Sequence, residues 1–241
     1  MVILLWARDH CYYQLFQNGN TIYNALNSTN IIIHRENSTI DHHQRSVPLI
    51  MHRMWKDDHI LDDNNDNGLP LNWTKEFTYC NKVYQKRHWM TILWDDKSIR
   101  AFLERNYPYF LPAYDSYPYN IQRVDSARYF ILYHYGGVYM DLDVGCKSSK
   151  DLSDFVRTME QMNKTALLPL TEPVGFSNDI LIATKSSPFF KALIQSLPHK
   201  NKWYGSPYLT VMYGTGPMFV SLVYTRLSSG QQHEVLALAP D

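Results

Sequence analysis

No run of about 18 apolar residues occurs in the 241-residue chain, so no segment reads as a membrane-spanning helix. The apolar opening "MVILLW" stops at Arg8 and Asp9, too short for the hydrophobic region of a signal peptide. As given, the chain reads as soluble, with room left for an anchor beyond either end. Cysteine is scarce. Cys11, Cys80 and Cys146 are too few and too scattered for a zinc site or a disulfide framework, although one bridge can be accommodated. An excess of charge of either sign is missing too: Lys plus Arg and Asp plus Glu number 23 each, which argues against nucleic acid as a partner. Internal repeats and low-complexity tracts are also absent.

What the chain has in quantity is aromatic side chains, 14% of residues, with 18 Tyr and 6 Trp. These suit sugar faces and interfaces, and equally an aromatic-rich core. Four Asn-x-Ser/Thr sequons, at Asn27, Asn37, Asn72 and Asn163, exceed the roughly two expected by chance and point to a secretory-pathway lumen.

Residues 1–46 are polar and weakly patterned, a leader or stalk with little regular structure. Residues 47–241 carry the patterned domain. "VPLIMHRMW" (47–55) reads as the first strand, and the acidic, turn-rich 56–70 as a solvated loop. A helix over 72–87, a strand over 88–94 and an acid-capped helix over 95–108 follow. Ile121, Val124, Ile131, Leu132 and Tyr135 recur at helical spacing within 119–137, and Gly136-Gly137 ends that helix. Strands are expected at 138–144, 165–170, 178–184 and 234–240, and helices at 188–197 and Pro217–Leu227. Such alternation predicts an α/β domain, a mostly parallel central sheet with helices on both faces.

The chemistry gathers around "VYMDLDV". In a strand, residues two apart share a face, so Asp141 and Asp143 would aim together into a crevice at the strand's carboxyl end. Two converging carboxylates repel unless a cation sits between them. Hard oxygen ligands with open positions suit Mn²⁺ or Mg²⁺ bridging to the phosphates of a nucleotide. Alone, Asp-x-Asp is also a common surface turn. Asp125 and Arg128, one helical turn apart just upstream, would bring a further carboxylate and a permanent cation to the same crevice, or form an ordinary surface ion pair. Trp55 and Asn178-Asp179 have bland alternatives as a core plug and a simple turn. His52 and the pair His42-His43 read as structural, having no third ligand at metal spacing.

"VPLIMHRMW", "DSARYFILYHYGGVYMDLDV", "GFSNDILIAT" and "SPYLTVMYGTGPMF" occur in an order that resembles glycosyltransferase family 32, the DXD-containing sugar transferases. The helix–GG–DXD core also resembles the glucosylating clostridial toxins, and "PYLTVMYGTGPMF" looks most like fungal inositol phosphoceramide mannosyltransferases. The resemblance implies a single GT-A-like nucleotide-sugar-binding domain and a retaining, metal-dependent transferase. It further implies a nucleotide-sugar donor, GDP-mannose favoured over UDP-hexoses, a glycolipid or glycan acceptor, and a Golgi or other secretory setting with membrane association. By position, it puts Trp55 on the donor base, Asp125 and Arg128 on the donor sugar and phosphates, and Tyr139 nearby. Asp141 falls on ribose, metal or sugar, and Asp143 on the metal directly. Asn178 and Asp179 fall on the sugar and acceptor side, with Asp179 the sole candidate for a further catalytic carboxylate, and Tyr213–Pro217 would form a wall near the phosphates. The resembled enzymes continue past this chain's end with a His- and Trp-containing segment and membrane helices, so the domain is expected to be truncated at its C-terminus.

Rival readings are weaker. A haloacid-dehalogenase-type phosphatase wants Thr or Val where Gly145 stands. Carboxylates two apart on one strand cannot flank a glycosidic bond as a hydrolase requires. A non-catalytic nucleotide-sugar-binding relative remains a live alternative.

Overall fold

Side chains alternate sides along a strand, and here each side meets its own helices. The computed structural model describes residues 46–56, 71–146, 151–171 and 175–239. The expected leader, the loop after Lys56 and the His42-His43 pair lie outside the described residues. Strands β1 (Ile50–Met54), β2 (Met90–Trp94), β3 (Gly137–Met140), β4 (Ala166–Pro169), β5 (Ile180–Ala183) and β6 (Val235–Leu238) form one sheet in the order β2-β1-β3-β5-β4-β6. β1 pairs parallel with β2 and β3, and β4 with β6; β5 runs antiparallel to both of its neighbours.

On one face, Tyr139, Leu168, Leu181 and Ala183 join the larger core, packed by α2 (Asp96–Asn106), α3 (Leu111–Ser116), α4 (Asn120–Tyr135), α6 (Pro188–Ser196) and α8 (Pro217–Tyr224). On the other, Met51, Val138, Met140, Leu167 and Ile182 meet α1 (Leu71–Gln85) and α5 (Leu152–Gln161). The expected α/β class, with a mostly parallel sheet between helices, is what the structure shows.

Local signals explain the boundaries. Asp95 and Ser98 form a reciprocal capping box that starts α2. Gly136 closes α4 at φ +70, where a Cβ would lie 2.7 Å from the Lys185 backbone nitrogen. At Gly137 a Cβ would meet the Ile50 carbonyl at 2.5 Å, so the second glycine lets β3 lie against β1.

Two findings depart from the sequence reading. α5 and α7 (Pro207–Gly214) are helices that the pattern did not suggest, each opened by a side-chain cap, Asp151 to the Ser153 amide and Ser206 to the Leu209 amide. And β3 stops at Met140, short of the aspartates. Asp141 and Asp143 lie on a turn closed by the Val144 amide on the Asp141 carbonyl at 3.1 Å. Leu142 is buried against Phe77, and the carboxylates on either side of it are more accessible.

Candidate active site

α4 carries Asp125 and Arg128 on one face, and both are buried, so the surface ion pair is excluded. Arg128 Nη2 lies 3.1 Å from Asp125 Oδ1 and Nη1 lies 3.3 Å from Asp141 Oδ2. Nη1 also donates to the Asn178 carbonyl at 2.6 Å, and the guanidinium sits 4.4 Å over the Tyr139 ring. Asp125 accepts two further hydrogen bonds, from Asn178 Nδ2 at 3.0 Å and Thr215 Oγ1 at 3.1 Å. Burial pushes its carboxyl above the usual range, and Arg128, Thr215 and Asn178 oppose that. Arg128 and the Asn178 amide nitrogen can only donate to it, and so favour its carboxylate form. For Arg128, burial acts downward, but Tyr139, Asp141 and Asp125 outweigh it and hold the guanidinium charged.

The two turn aspartates differ. Asp141 Oδ1 accepts the Tyr139 hydroxyl and its amide donates to the Asp179 carbonyl at 2.9 Å. Asp143 is exposed, and no hydrogen bond or ion pair among the described residues takes up its carboxylate. Among the described residues, no group of three His, Cys, Asp or Glu side chains converges on one point.

The turn is braced from beneath. Arg53, wholly buried on β1, donates Nη1 to the Asp141 carbonyl at 2.5 Å and to the Val144 carbonyl at 3.4 Å. Its Nε and Nη2 have no hydrogen-bond partner among the described residues, and burial lowers its pKa to about 10 against the upward pull of Tyr139 and Asp141. The Cys80–Cys146 disulfide ties the chain just past the turn to α1. His52, as expected, is structural: Nδ1 accepts from Trp94 Nε1 at 3.2 Å, which leaves Nε2 to donate to the Gly136 carbonyl at 2.9 Å.

Above these groups opens a cleft of about 400 Å³ at the carboxyl ends of β1 and β3, where parallel sheets hold ligands. Its lining includes Arg128, Tyr139, Asp141 and Asp143, the aromatic and apolar Trp55, Trp73, Ile121 and Val124, and the charged Lys56 and Asp96. Trp55 and Trp73 meet edge to face at 6.3 Å, and the Trp55 indole N–H is buried without a partner. A second cavity of about 280 Å³ on the opposite face is lined by apolar groups such as Leu152, Leu167 and Ile182, with no charged residue among the described lining.

The structure thus gathers Trp55, Asp125, Arg128, Tyr139, Asp141 and Asp143 in or just behind one cleft. Asn178 stands behind the lining, and Asp179 reaches Asp141 through its main chain, its carboxylate accepting from the Ser177 hydroxyl and the Ile180 amide. Tyr213–Pro217 also stand behind rather than along the described lining, with Thr215 on Asp125. Sequence reasoning passed over Arg53 and Trp73, and it named Thr215 only as part of the Tyr213–Pro217 wall, not as a partner of Asp125. A lone charge inside the apolar "IMHRMW" was the available signal for Arg53; nothing local marked Trp73.

Residues 70–169 match the family model described as the glycosyltransferase sugar-binding region containing the DXD motif. The middle of this chain thus matches the DXD-containing glycosyltransferases. Within that family's curated relatives, inositol phosphoceramide mannosyltransferase 1 of Schizosaccharomyces pombe is 41% identical over 182 residues, covering 75% of this chain and 52% of its own length. Mannosyl phosphorylinositol ceramide synthase CSH1 of Saccharomyces cerevisiae is 38% identical, covering 74% and 42% respectively. The chain therefore spans about half the length of the curated relatives it matches. Among solved structures, a PaToxG glycosyltransferase chain overlays at a TM-score of 0.42 with 14% identity, covering 92% of this chain and 79% of that one, a likeness too distant to carry weight.

Proposed function

We propose that the chain transfers a hexose, mannose before others, from a nucleotide diphosphate donor, GDP-mannose before UDP-hexoses, to a glycolipid acceptor of the inositol phosphoceramide class. The observation that carries this reading is the Asp125–Arg128–Asp141 chain of contacts ending at the uncommitted Asp143 carboxylate in a Trp-lined cleft. The names of the relatives favour mannose and the sphingolipid acceptor.

The donor set suits a hard divalent ion such as Mn²⁺ or Mg²⁺. Asp143 is free to ligate and Asp141 lies beside it, two oxygen ligands that leave most positions to water and diphosphate. When bound, such an ion neutralises charge growing on the departing diphosphate. The chain's own residues do the rest. Trp55 offers an aromatic face to the donor base. Arg128, fixed in place by two carboxylates, stabilises negative charge without reorganising. Tyr139 and Arg53 hold Asp141 and its turn at a set orientation, and positioning of this kind is itself catalytic. The acceptor hydroxyl would attack from the leaving-group face, with retention, and the departing phosphate can take its proton.

The Cys80–Cys146 bridge favours an oxidising compartment, in keeping with a Golgi or other secretory lumen. Among the described residues, no helix is long and apolar enough to cross a membrane. Calorimetric titration with GDP-mannose and UDP-hexoses, with and without Mn²⁺, tests the proposal on the wild type and on Asp143→Asn. Metal-dependent binding of one nucleotide, lost in the variant, supports it; wild type that binds none of them overturns it. A second reading, nucleotide-sugar binding without turnover, draws on the two-carboxylate site lacking a third metal-capable group among the described residues. Donor binding with no metal-dependent hydrolysis or transfer would select that reading.

A further inference from the structure

The chain is charge-balanced as a whole, but Ile180–His233 holds five Lys and Arg and not one Asp or Glu. Within that stretch the loop from Lys200 to Pro207 and the start of α7 expose large aromatics: Trp203 is 61% and Tyr208 69% accessible. Cations flank them. Lys202 Nζ lies 5.2 Å from the Tyr204 ring, and Lys200 is lowered by burial and then by the neighbouring charges of Arg226 and Lys202. The loop is a built feature, because Tyr204 stacks on Tyr213 with centroids 5.7 Å apart and the Tyr204 amide donates to Thr210 Oγ1 at 3.1 Å.

Its place relative to the cleft is fixed by α7. The Thr210 carbonyl accepts from Gln122 Nε2 at 3.5 Å, beside the cleft residue Ile121, itself 47% exposed. At the helix's far end Thr215 bonds Asp125. Tyr208 therefore stands about 10 Å along a helix axis from a residue of the candidate site.

Trp and Tyr rings suit the headgroup level of a bilayer, and lysines beside them suit its negative surface. We propose that the segment Lys200–Tyr208 is the face on which this chain rests on an anionic phospholipid bilayer. The docking itself stands on exposure and charge. That it brings a membrane-borne acceptor to the cleft rests on the function proposed above.

Flotation with vesicles of phosphatidylcholine, alone or mixed with phosphatidylinositol, tests it without any nucleotide. The wild type is expected to float with the mixed vesicles only, and to be released by high salt. Each lysine near such a surface is worth on the order of fivefold, so Lys200→Gln with Lys202→Gln should weaken binding roughly 25-fold. Trp203→Ser with Tyr208→Ser, both at exposed positions, should weaken it as well and remove any vesicle-induced blue shift of tryptophan emission. Asp143→Asn should float like the wild type while losing nucleotide binding, and a wild type that floats yet binds no nucleotide counts against the proposed function alone. Equal binding to both vesicle types, flotation unchanged in both double variants, or no flotation of the wild type overturns the inference. Retention on heparin without flotation would also overturn it, assigning the patch to a soluble polyanion.

Discussion

Arg53 holds Asp141 by its main chain: the buried guanidinium donates to the Asp141 carbonyl at 2.5 Å, while Arg128 and Tyr139 engage the same residue's carboxylate. One aspartate is thus fixed from both ends, and the carboxylate of its neighbour Asp143 has no hydrogen bond or ion pair among the described residues.

Arg53→Met should separate positioning from stability. The substitution leaves two carbonyls of the turn without their donor, at about 1–3 kcal/mol for the unmade bonds, but it also removes a buried charge with two unpartnered nitrogens. The unfolding midpoint should move little, while metal-dependent nucleotide affinity falls by about tenfold, roughly 1.4 kcal/mol. Unchanged affinity in calorimetry would remove Arg53 from the site's supporting frame.

Arg128 and Asp125 should behave as a unit. Arg128→Met strands the Asp125 carboxylate in a dry interior and should cost about 3–5 kcal/mol in urea unfolding. Adding Asp125→Asn removes the stranded charge and should restore most of that loss without restoring transfer. If the two substitutions simply add, the buried pair is not coupled as described.

Acid should destabilise the fold through His52. Its pKa is lowered to about 4 from the ordinary 6.5, because burial disfavours the cation, against a small upward pull from Gly136. Between those two values the folded state binds fewer protons than the unfolded chain, so stability is whole above the ordinary value and falls as pH drops toward 4. The loss should reach about 3 kcal/mol. His134, also lowered by burial and by Lys185, acts in the same direction. Urea midpoints at neutral and acid pH should differ strongly in the wild type and much less in His52→Gln; an equal slope in both would discard this account.

Reduction of Cys80–Cys146 should be felt both globally and at the turn. The bridge spans 66 residues of sequence, a loop whose closure is worth about 4 kcal/mol in the chain-entropy model. Cys146→Ser should lower thermal stability and weaken metal-dependent nucleotide binding together. Loss of stability with nucleotide affinity fully retained would confine the bridge to a role in folding.

Much of this was written in plain local chemistry. The Asp95-Ser98 cap, the Gly136-Gly137 stop and the alternation of strand and helix each act over a few residues, and the strands and most helices follow from them. The grouping of Asp125, Arg128, Tyr139, Asp141 and Asp143 was legible because one helix, one glycine pair and one strand deliver them in sequence. The strand pleat was the wrong reason for the aspartates' alignment: β3 ends at Met140, and a turn sends Leu142 inward to Phe77 with the aspartates on either side, an alternation that a pleat would also have produced. Thr215 and Asn178 meet Asp125 from 90 and 53 residues away, a contact that only tertiary packing creates. α7 escaped notice because "PYLTVMYG" is apolar nearly all round and lacks an amphipathic stripe.

The reversed strand β5 has a further consequence. Because it runs against β3, its opening residues lie at the edge where β3 finishes, and the Asp179 carbonyl meets the Asp141 amide there. The support behind the aspartate turn thus comes from a stretch that enters the sheet, while the turn belongs to one that leaves it. A change of side chain in the lead-in to β5 can leave that main-chain bond intact, so the prop tolerates substitution where the turn it supports does not.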